Sequence, residues 1–455
     1  MTATSPVRYP DVRDPSVMTR RAWVLVVLNV LIPGSAQLIA GSRRLGRFGT
    51  RATFALWLLV IIAVLAFALA RSTFVTIATN PITLTVVQVV LAFYVVLWIV
   101  LTFDTLRIIR LVRVRERSRI AVALVTVVVL VGVGGAAGYA ALIAGVTRTT
   151  VGSVFADGQI EDPVDGRYNI LLLGGDAGPD RDGLRPDSIS VVSIEAETGK
   201  ATIIGLPRNL EGVPFPADSP LAAEYPDGYG YDGCEVDVCM LNSIYTEVSL
   251  ITPELYPDAA EEGSSPGIEA MRDAAEGVLG ITIQYYALID MEGFAGLIDA
   301  LGGITIDSQG RYPINGDIDE DGNPILVDGW IEPGVQVMDG YTALWYARSR
   351  YTTSDYDRMD RQRQVQEAIL QQFDPATVLT KFQAIAEAGA EVVRTDIPQG
   401  MLGHFLDLAS KARNQDLASV ELVPPNVDPE YPDYDYVREL VGGALVLSTA
   451  ETDEG

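Results

Sequence analysis

Histidine and cysteine are scarce in this sequence, whose 455 residues include one histidine, His404, and two cysteines, Cys234 and Cys239. This scarcity argues against triad-type acyl transfer, because no serine-histidine pairing is available. The absence of a second cysteine pair argues against a zinc site. Four residues separate the two cysteines in the loop YGYDGCEVDVCMLN, so we expect a disulfide that closes a small surface loop outside the cytoplasm. His404 is expected to be a surface or half-buried helix residue.

Positive charge is scarce in the second part of the chain. Residues 1–150 hold 16 of the 33 Lys and Arg but 4 of the 59 Asp and Glu, which leaves 17 basic and 55 acidic residues after position 150. Such an acidic body repels nucleic acid, so no nucleic-acid partner is expected. Eight of those 17 basic residues fall in two windows: Arg181, Arg185 and Arg208, then Arg348, Arg350, Arg358, Arg361 and Arg363. Together they predict a pocket for a compact anion such as phosphate or pyrophosphate.

Apolar stretches long enough to cross a bilayer occur at residues 52–70, 82–103 and 120–144. A fourth stretch, 22–40, contains Asn29, Gln37 and a Pro33–Ser35 break and is flanked by arginines on both sides. Since positive charge marks the cytoplasmic side, we interpret 22–40 as a re-entrant or interfacial hairpin. Residues 1–150 are thus predicted to form a helical membrane region.

The predicted topology is that of a multi-pass cell-membrane protein. Six arginines between Arg107 and Arg119 place that loop inside. Three spans then put the N-terminus in the cytoplasm and the chain after about Thr147 outside; if 22–40 also spanned, both ends would lie on the same side. No cleavable signal peptide is predicted.

The outer part is predicted to comprise a linker (151–166), a catalytic domain (167–440) and an acidic tail (441–455). Residues 168–173, 188–194 and 201–206 have the composition of buried strands. If these strands form an antiparallel meander, one sheet edge collects Asp176, Arg185, Asp187 and Arg208.

Helices and strands alternate further along the chain. We expect helices near 241–248, 268–279 and 291–301, and strands at 284–289 and 304–306. A later helix should deliver Arg348 and Arg350 at its end, and another should begin near Arg358. This order predicts a layered α/β/α domain with a mixed central sheet.

Two groups of charged residues allow a functional or a structural interpretation. The loop GGDAGPDRDGLRPDS suits a hard cation such as Mg²⁺, or is a solvated surface loop. The second arginine window grips an anion, or forms an ion-pair network with Asp355, Asp357 and Asp360. The sequence from Asp317 through Asp319, Asp321 and Gly322 to Asp328 partly follows a calcium loop, and otherwise predicts a solvated hairpin.

Several motifs in order resemble those of the LytR-CpsA-Psr family of extracytoplasmic phosphotransferases. They are NILLLGGDAGPDRDGLRPDS, IGLPRN, LNSIY, QYYALIDMEGFAGLIDALGGITID and VMDGYTALWYARSRYTTSDYDRMDRQRQ. The resemblance covers about residues 167–373. The family pattern often has a Gln where Arg363 stands, and the segment PGSAQLIAG is similar to a subgroup feature.

The resemblance implies roles for individual residues. Asp176 and Asp187 would hold Mg²⁺ or another divalent cation. The implied catalytic arginines are Arg185, Arg208, Arg348 and Arg350, and the implied substrate-binding residues are Arg358 and Gln362, with Arg181 and Asn242 as secondary candidates. The apolar helices near 271–279 and 294–301 would line a tunnel for a prenyl chain, although core packing predicts the same residues.

The implied activity is a Mg²⁺-dependent phosphotransfer. A glycopolymer would move from a polyprenyl-pyrophosphate carrier to a peptidoglycan hydroxyl and form a phosphodiester. The implied partners are the lipid-linked glycan, peptidoglycan and the bilayer. The alternatives are a polyprenyl-pyrophosphate hydrolase, a non-enzymatic membrane-bound regulator and a passive wall-polymer-binding module.

Overall fold

The computed structural model describes residues 7–154, 160–176, 185–231, 233–319, 323–351, 353–372, 393–413 and 415–453. The chain forms two compact units, Met1–Thr149 and Thr150–Gly455. The first unit is helical, and the second combines helices with strands.

The first unit contains α1 (Pro15–Leu31), α2 (Ser35–Ala40), α3 (Arg43–Leu69), α4 (Arg71–Thr79), α5 (Pro81–Ile109) and α6 (Glu116–Val154). Within the described residues, Arg43–Leu69, Pro81–Arg113 and Glu116–Gly145 are long and apolar enough to cross a membrane. These segments agree with the three stretches predicted from hydropathy, except that the first ends at Leu69 and not at residue 70. Helix α6 continues to Val154 and so takes in the start of the segment assigned to the linker.

Helices α1 and α2 form a hairpin against the last turns of α5. Arg21 Nη1 donates to the Ile108 carbonyl at 2.8 Å, and a Cβ added to Gly41 would lie 2.4 Å from Ile108 Cδ1. Between them, Asn29 Nδ2 donates to Thr102 Oγ1 at 3.1 Å. Both ends of the hairpin therefore lie beside the same end of α5. The helical hairpin begins earlier than the predicted 22–40 segment, and its placement in a bilayer stays a prediction.

In its described residues, the second unit contains both strands and helices, in the following chain order. They are β1 (Arg167–Asp176), β2 (Arg185–Glu195), β3 (Ala201–Leu206), α7 (Pro220–Glu224), α8 (Leu241–Leu250), α9 (Pro266–Leu279), β4 (Tyr285–Asp290), α10 (Met291–Leu301), β5 (Ile304–Ser308), β6 (Tyr312–Ile314), β7 (Asp317–Ile318), β8 (Pro324–Ile325), β9 (Gly329–Ile331), β10 (Gly334–Met338), α11 (Gly340–Arg348), α12 (Asp355–Gln372), β11 (Val393–Thr395), α13 (Leu402–Ala412), β12 (Ala418–Glu421) and α14 (Tyr434–Asp453).

The central sheet has six strands in the order β11-β4-β1-β2-β3-β12. Strands β1, β2 and β3 pair antiparallel as the predicted meander. Strand β4 is parallel to β1, and β12 is parallel to β3, which makes the sheet mixed. The predicted fold class is therefore confirmed.

Alternating side chains of β1 face two helical layers. Leu171 and Leu173 pack with α8, α9 and α14 in the main core. Tyr168 and Ile170 pack on the other face against α13. His404 lies on α13 with its ring 5.4 Å from that of Tyr168, and it is half-buried, as predicted.

A smaller core forms beside the sheet. It contains residues of α10, α11 and α12 with the short strands β5, β6 and β9. Strand β5, although predicted correctly as a strand, pairs with β10 rather than with the central sheet. Helix α12 links this core to the sheet, because Gln366 Nε2 donates to Ser190 Oγ on β2 at 3.0 Å.

The C-terminal boundary differs from the expectation of an acidic tail after residue 440. Helix α14 runs from Tyr434 to Asp453. Val437 and Val441 lie fully buried in the main core, because residues four apart share one helical face. Residue 440 is thus inside a packed helix and does not end the domain.

Candidate functional site: an arginine cluster at the sheet edge

The ends of three adjacent strands supply the first half of the site. Asp176, the last residue of β1, pairs in register with Arg185, the first of β2. Leu206, the last residue of β3, pairs with Ile189, so Arg208 follows immediately beyond the same edge. The meander therefore brings together the backbone positions that the sequence predicted. Arg181 lies outside the described residues.

Helices α11 and α12 supply the second half. Arg348 ends α11, Arg350 lies in the following turn, and Arg358 lies near the start of α12. Arg358 Nη2 donates to the backbone carbonyl of Asp187 at 3.3 Å. Two segments that are far apart in sequence thus meet at the edge of the sheet.

The turn between these helices is held by a buried arginine. Arg361 Nε donates to the Tyr346 carbonyl at 3.0 Å, and its Nη2 donates to the Ser349 carbonyl. Its guanidinium lies 4.4 Å from the centre of the Tyr312 ring. Arg361 therefore fixes the backbone that carries Arg350.

Three arginines meet two carboxylates at this edge, and we call these five residues the arginine cluster: Arg208, Arg350, Arg358, Asp187 and Asp355. Arg208 Nη1 lies 2.6 Å from Asp187 Oδ1, and Arg208 Nε lies 3.4 Å from Asp355 Oδ2. Arg350 Nε lies 3.6 Å from Asp355 Oδ1. Arg358 Nη2 lies 3.0 Å from Asp355 Oδ2. The cluster carries one more positive than negative charge.

Burial differs sharply within the arginine cluster. The side chain of Arg358 is 4% exposed, whereas that of Arg350 is 47% exposed. Burial lowers the pKa of Arg358, and Arg350 and Arg208 lower it further, while Asp355 and Asp187 oppose the shift. Arg358 Nε is buried without a hydrogen-bond partner among the described residues. The cluster thus has a buried floor, formed by Arg358, and an open rim, where Arg350 is accessible to an anion from solvent.

Other predicted site residues lie around the cluster. Asn242 donates its backbone N–H to the Arg208 carbonyl at 3.1 Å, and its side chain is buried. Gln362 Nε2 donates to the Ala347 carbonyl at 3.4 Å. The Arg348 guanidinium lies 5.2 Å from the centre of the Trp345 ring. Arg185 is exposed at the start of β2. The roles assigned to these residues stay predictions.

The structural alternative for the arginine window is partly realised. Of the three acids considered, Asp355 contacts the arginines, whereas Asp357 Oδ2 accepts from Ser354 at the start of α12 at 2.7 Å. Asp360 accepts from Gln364. Arg363, whose role the sequence left open, is buried and forms an ion pair with Glu421 on β12. Sequence spacing could not predict the contacts of Asp355 with Arg208 and of Arg363 with Glu421, because the partners are far apart in the chain.

The predicted cation site stays a prediction, and Asp187 is the one of its two proposed ligands whose side chain the structure describes. In the described part of the chain, no group of three or more His, Cys, Asp or Glu converges as metal ligands. Asp187 Oδ1 is bonded to Arg208, while Oδ2 has Arg350 Nη2 at 4.0 Å, beyond hydrogen-bond range. One or two carboxylates with water and phosphate oxygens are the usual environment of protein-bound Mg²⁺. Asp187, near the start of β2, can supply one such carboxylate, whereas the side chain of Asp176 lies outside the part of the chain that the structure describes.

The acidic loop 317–328 has the features of the predicted hairpin. Strand β7 pairs with β8, and Asp319 Oδ1 accepts from the Asn323 N–H at 2.7 Å. Asp328 Oδ2 accepts from Asn315 and from Tyr341, which lowers the pKa of Asp328. Asp321 and Gly322 lie outside the described residues. The carboxylates of Asp319 and Asp328 are therefore used in local hydrogen bonds.

Two further groups of predicted residues lie away from the cluster. Cys234 and Cys239 are joined by a disulfide. Met271, Ala275 and Val278 on α9 are fully buried in the main core, which is the packing role that their spacing also predicts. A prenyl tunnel at this helix stays a prediction.

Comparisons with known proteins give consistent similarities. A model of the LytR_cpsA_psr family matches residues 153–439. The chain is 27% identical over 245 residues to the polyisoprenyl-teichoic acid–peptidoglycan teichoic acid transferase TagU of Halalkalibacterium halodurans, a match that covers 53% of this chain and 63% of that protein. It is 28% identical over 236 residues to biofilm regulatory protein A of Streptococcus mutans, covering 50% of each. The chain thus spans less than two thirds of these curated relatives.

Among solved structures, the crystal structure of B. subtilis TagV aligns with a TM-score of 0.43 and 20% sequence identity. The alignment covers 63% of this chain and 98% of that chain.

Proposed function

The chain belongs to the LytR_cpsA_psr family, and from that premise we propose that its second unit is an extracytoplasmic phosphotransferase. It would move a glycopolymer from a polyprenyl-pyrophosphate carrier to a hydroxyl of peptidoglycan and leave a phosphodiester. One observation carries the proposal: Arg208, which follows β3, converges at one sheet edge with Arg350 and Arg358, which lie on either side of the start of α12. The similarity to TagU, a polyisoprenyl-teichoic acid–peptidoglycan teichoic acid transferase, supports the proposal.

The charge distribution favours a small, dense anion as the ligand. The chain has a formal net charge of −26, so a long polyanion would be repelled by the surroundings of the cluster. Guanidinium groups remain charged and bind phosphate oxygens two at a time. A pyrophosphate diester, whose charge is confined to two phosphorus centres, meets both conditions.

The proposed reaction is a substitution at the phosphorus that carries the glycan. The acceptor hydroxyl oxygen forms a bond to this phosphorus, and the bond to the bridging pyrophosphate oxygen breaks. Polyprenyl phosphate leaves with that oxygen, and the hydroxyl proton passes to a carboxylate or to solvent. The arginines stabilise the charge on the phosphate oxygens, and losing one such contact typically costs about 10²- to 10³-fold in rate.

Mg²⁺ or another divalent cation is part of the proposal. Asp176 and Asp187 are the residues that would hold it. When bound, the cation would neutralise charge on the phosphate oxygens. Asp187 also fixes Arg208 through the 2.6 Å ion pair, so this side chain orients the arginine independently of the cation.

The proposed location is a cell membrane with the second unit outside the cytoplasm. Three membrane-capable helices support a multi-pass anchor, and the arginines between Arg107 and Arg119 favour a cytoplasmic position for that loop. The Cys234–Cys239 disulfide agrees with an oxidising compartment for the second unit.

The decisive experiment incubates the purified full chain with Mg²⁺, labelled lipid-linked glycan and peptidoglycan. We expect peptidoglycan-linked label and polyprenyl phosphate from the wild type, and a loss of both with Arg208→Ala and Asp176→Asn. Arg311→Ala is the control, because Arg311 is exposed and pairs with Glu332 away from the cluster. Lipid monophosphate without joined glycan would indicate a hydrolase, and no turnover would indicate a regulator or a binding module. Full turnover by both site variants would refute the site assignment.

A further inference from the structure

Asp355 occupies an unusual position among the three arginines of the cluster. Its Oδ2 lies 3.0 Å from Arg358 Nη2 and 3.4 Å from Arg208 Nε, while its Oδ1 lies 3.6 Å from Arg350 Nε. Arg208 follows β3, whereas Arg350 and Arg358 lie on either side of the start of α12. One carboxylate therefore contacts every arginine that the cluster contains.

Three guanidinium groups this close repel one another unless an anion lies between them. Asp187 meets this need only in part, since Arg208 is 2.6 Å from its carboxylate but Arg350 is 4.0 Å away. Asp355 supplies the remaining negative charge at the first residue of α12, where the helix N-terminus also favours an acid. Its side chain is 28% exposed, so the carboxylate can be reached from the open rim.

We propose that Asp355 is a positioning residue that holds the three arginines together and oriented, and gives up these contacts to phosphate oxygens when substrate binds. The inference rests on the proposed function for the identity of the substrate. Before substrate binds, the Asp355 carboxylate makes the contacts to the guanidinium groups that phosphate oxygens make afterwards. It competes with substrate for the same guanidinium groups while keeping their geometry ready for the transition state.

The same helical turn provides a matched control. Asp357 carries the same charge two residues away, but its carboxylate accepts from the Ser354 N–H and hydroxyl, each at 2.7 Å. Asp357→Asn therefore removes one negative charge from the start of α12 without removing a contact to the three arginines. Asp355→Glu keeps the charge and tests whether a carboxylate alone restores function.

The test measures binding and turnover separately with the full chain in detergent. Inorganic pyrophosphate is titrated calorimetrically, and kcat and KM are measured with lipid-linked glycan. For Asp355→Asn we expect about tenfold tighter pyrophosphate binding, because a repelling charge is gone, and a kcat lower by about tenfold or more. Asp357→Asn should change neither by more than about twofold. Asp355→Glu should return both quantities toward wild type.

Two results would overturn the inference. One is pyrophosphate binding by Asp355→Asn that is no tighter than that of Asp357→Asn, at equal melting temperatures. The other is loss of binding in Asp355→Asn and Asp355→Glu alike, which assigns Asp355 to the fold. If pyrophosphate binding behaves as expected but the wild type transfers no glycan, the proposed function fails while the role of Asp355 stands.

Discussion

Arg358→Ala separates the chemistry of the arginine cluster from the stability of the fold. The side chain is 4% exposed, and its Nη2 donates to Asp355 and to the Asp187 carbonyl at 3.0 and 3.3 Å. Removing it takes a buried charge from the floor of the cluster. It leaves the arginines at the rim in place.

The expected loss of stability is moderate. Breaking a fully buried ion pair costs about 3–5 kcal/mol. Asp355, however, is 28% exposed and keeps Arg208 and Arg350 within 3.4 and 3.6 Å. Solvent and the remaining arginines should reduce the cost to about 1–2 kcal/mol, or a few degrees of melting temperature.

The expected loss of activity is much larger. One fewer donor to the transition-state charge should lower kcat/KM by about 10²- to 10³-fold. The assay compares initial rates of glycan transfer, corrected for the folded fraction measured by thermal unfolding.

Arg363→Ala provides the control on the same helix. Its side chain is 7% exposed and pairs with Glu421 rather than with the arginine cluster. We expect a comparable stability loss with kcat/KM reduced by less than about threefold. Equal activity losses in the two folded variants would refute the reasoning, and so would full activity of Arg358→Ala.

Three other substitutions test separate features. Replacing Cys234 and Cys239 by serine opens a loop with a sequence separation of 5 and should cost about 2 kcal/mol; an unchanged melting temperature contradicts this. Burial raises the pKa of Glu269 above 4.5, so the ionised side chain destabilises the fold at neutral pH, and this cost disappears as the pH falls through the raised pKa. The higher melting temperature that we expect for Glu269→Gln at neutral pH should therefore approach that of the wild type toward pH 4.5. A difference in melting temperature that does not change with pH would contradict this. In Gly277→Ala the new Cβ would lie 1.9 Å from the Pro214 carbonyl oxygen, so we expect the substitution to destabilise the fold by at least about 2 kcal/mol. A melting temperature equal to that of the wild type would contradict this and show that the backbone at Pro214 moves at little cost.

The sequence predicted the fold best where side-chain patterns are local. The apolar runs of β1 and β3 and the helical spacing of α9 lie where they were expected. The antiparallel order of β1 to β3 follows from short connections, and it places Asp176 and Arg208 at one edge.

Several long-range contacts were not predicted. Strand β5 has the composition of a sheet strand, but its partner β10 lies in a separate two-stranded sheet. Asp355 and Asp357 are both acids in the first turn of α12, and the sequence did not indicate that Asp355 would contact Arg208, Arg350 and Arg358. The short strand β12 joins the central sheet through pairing with β3, which local composition does not reveal.

Arg361 and Arg363 show that the arginines of an arginine-rich segment need not all face a ligand. Arg361 ties together the carbonyls of Tyr346 and Ser349, and Arg363 anchors its helix to Glu421. Arg361 and Arg363 thus stabilise the segment that carries Arg350 and Arg358. A lysine ammonium lacks the planar guanidinium that lets Arg361 donate to both carbonyls at once. Arg361→Lys should therefore make the position of Arg350 less fixed, although residue 361 itself contacts no ligand.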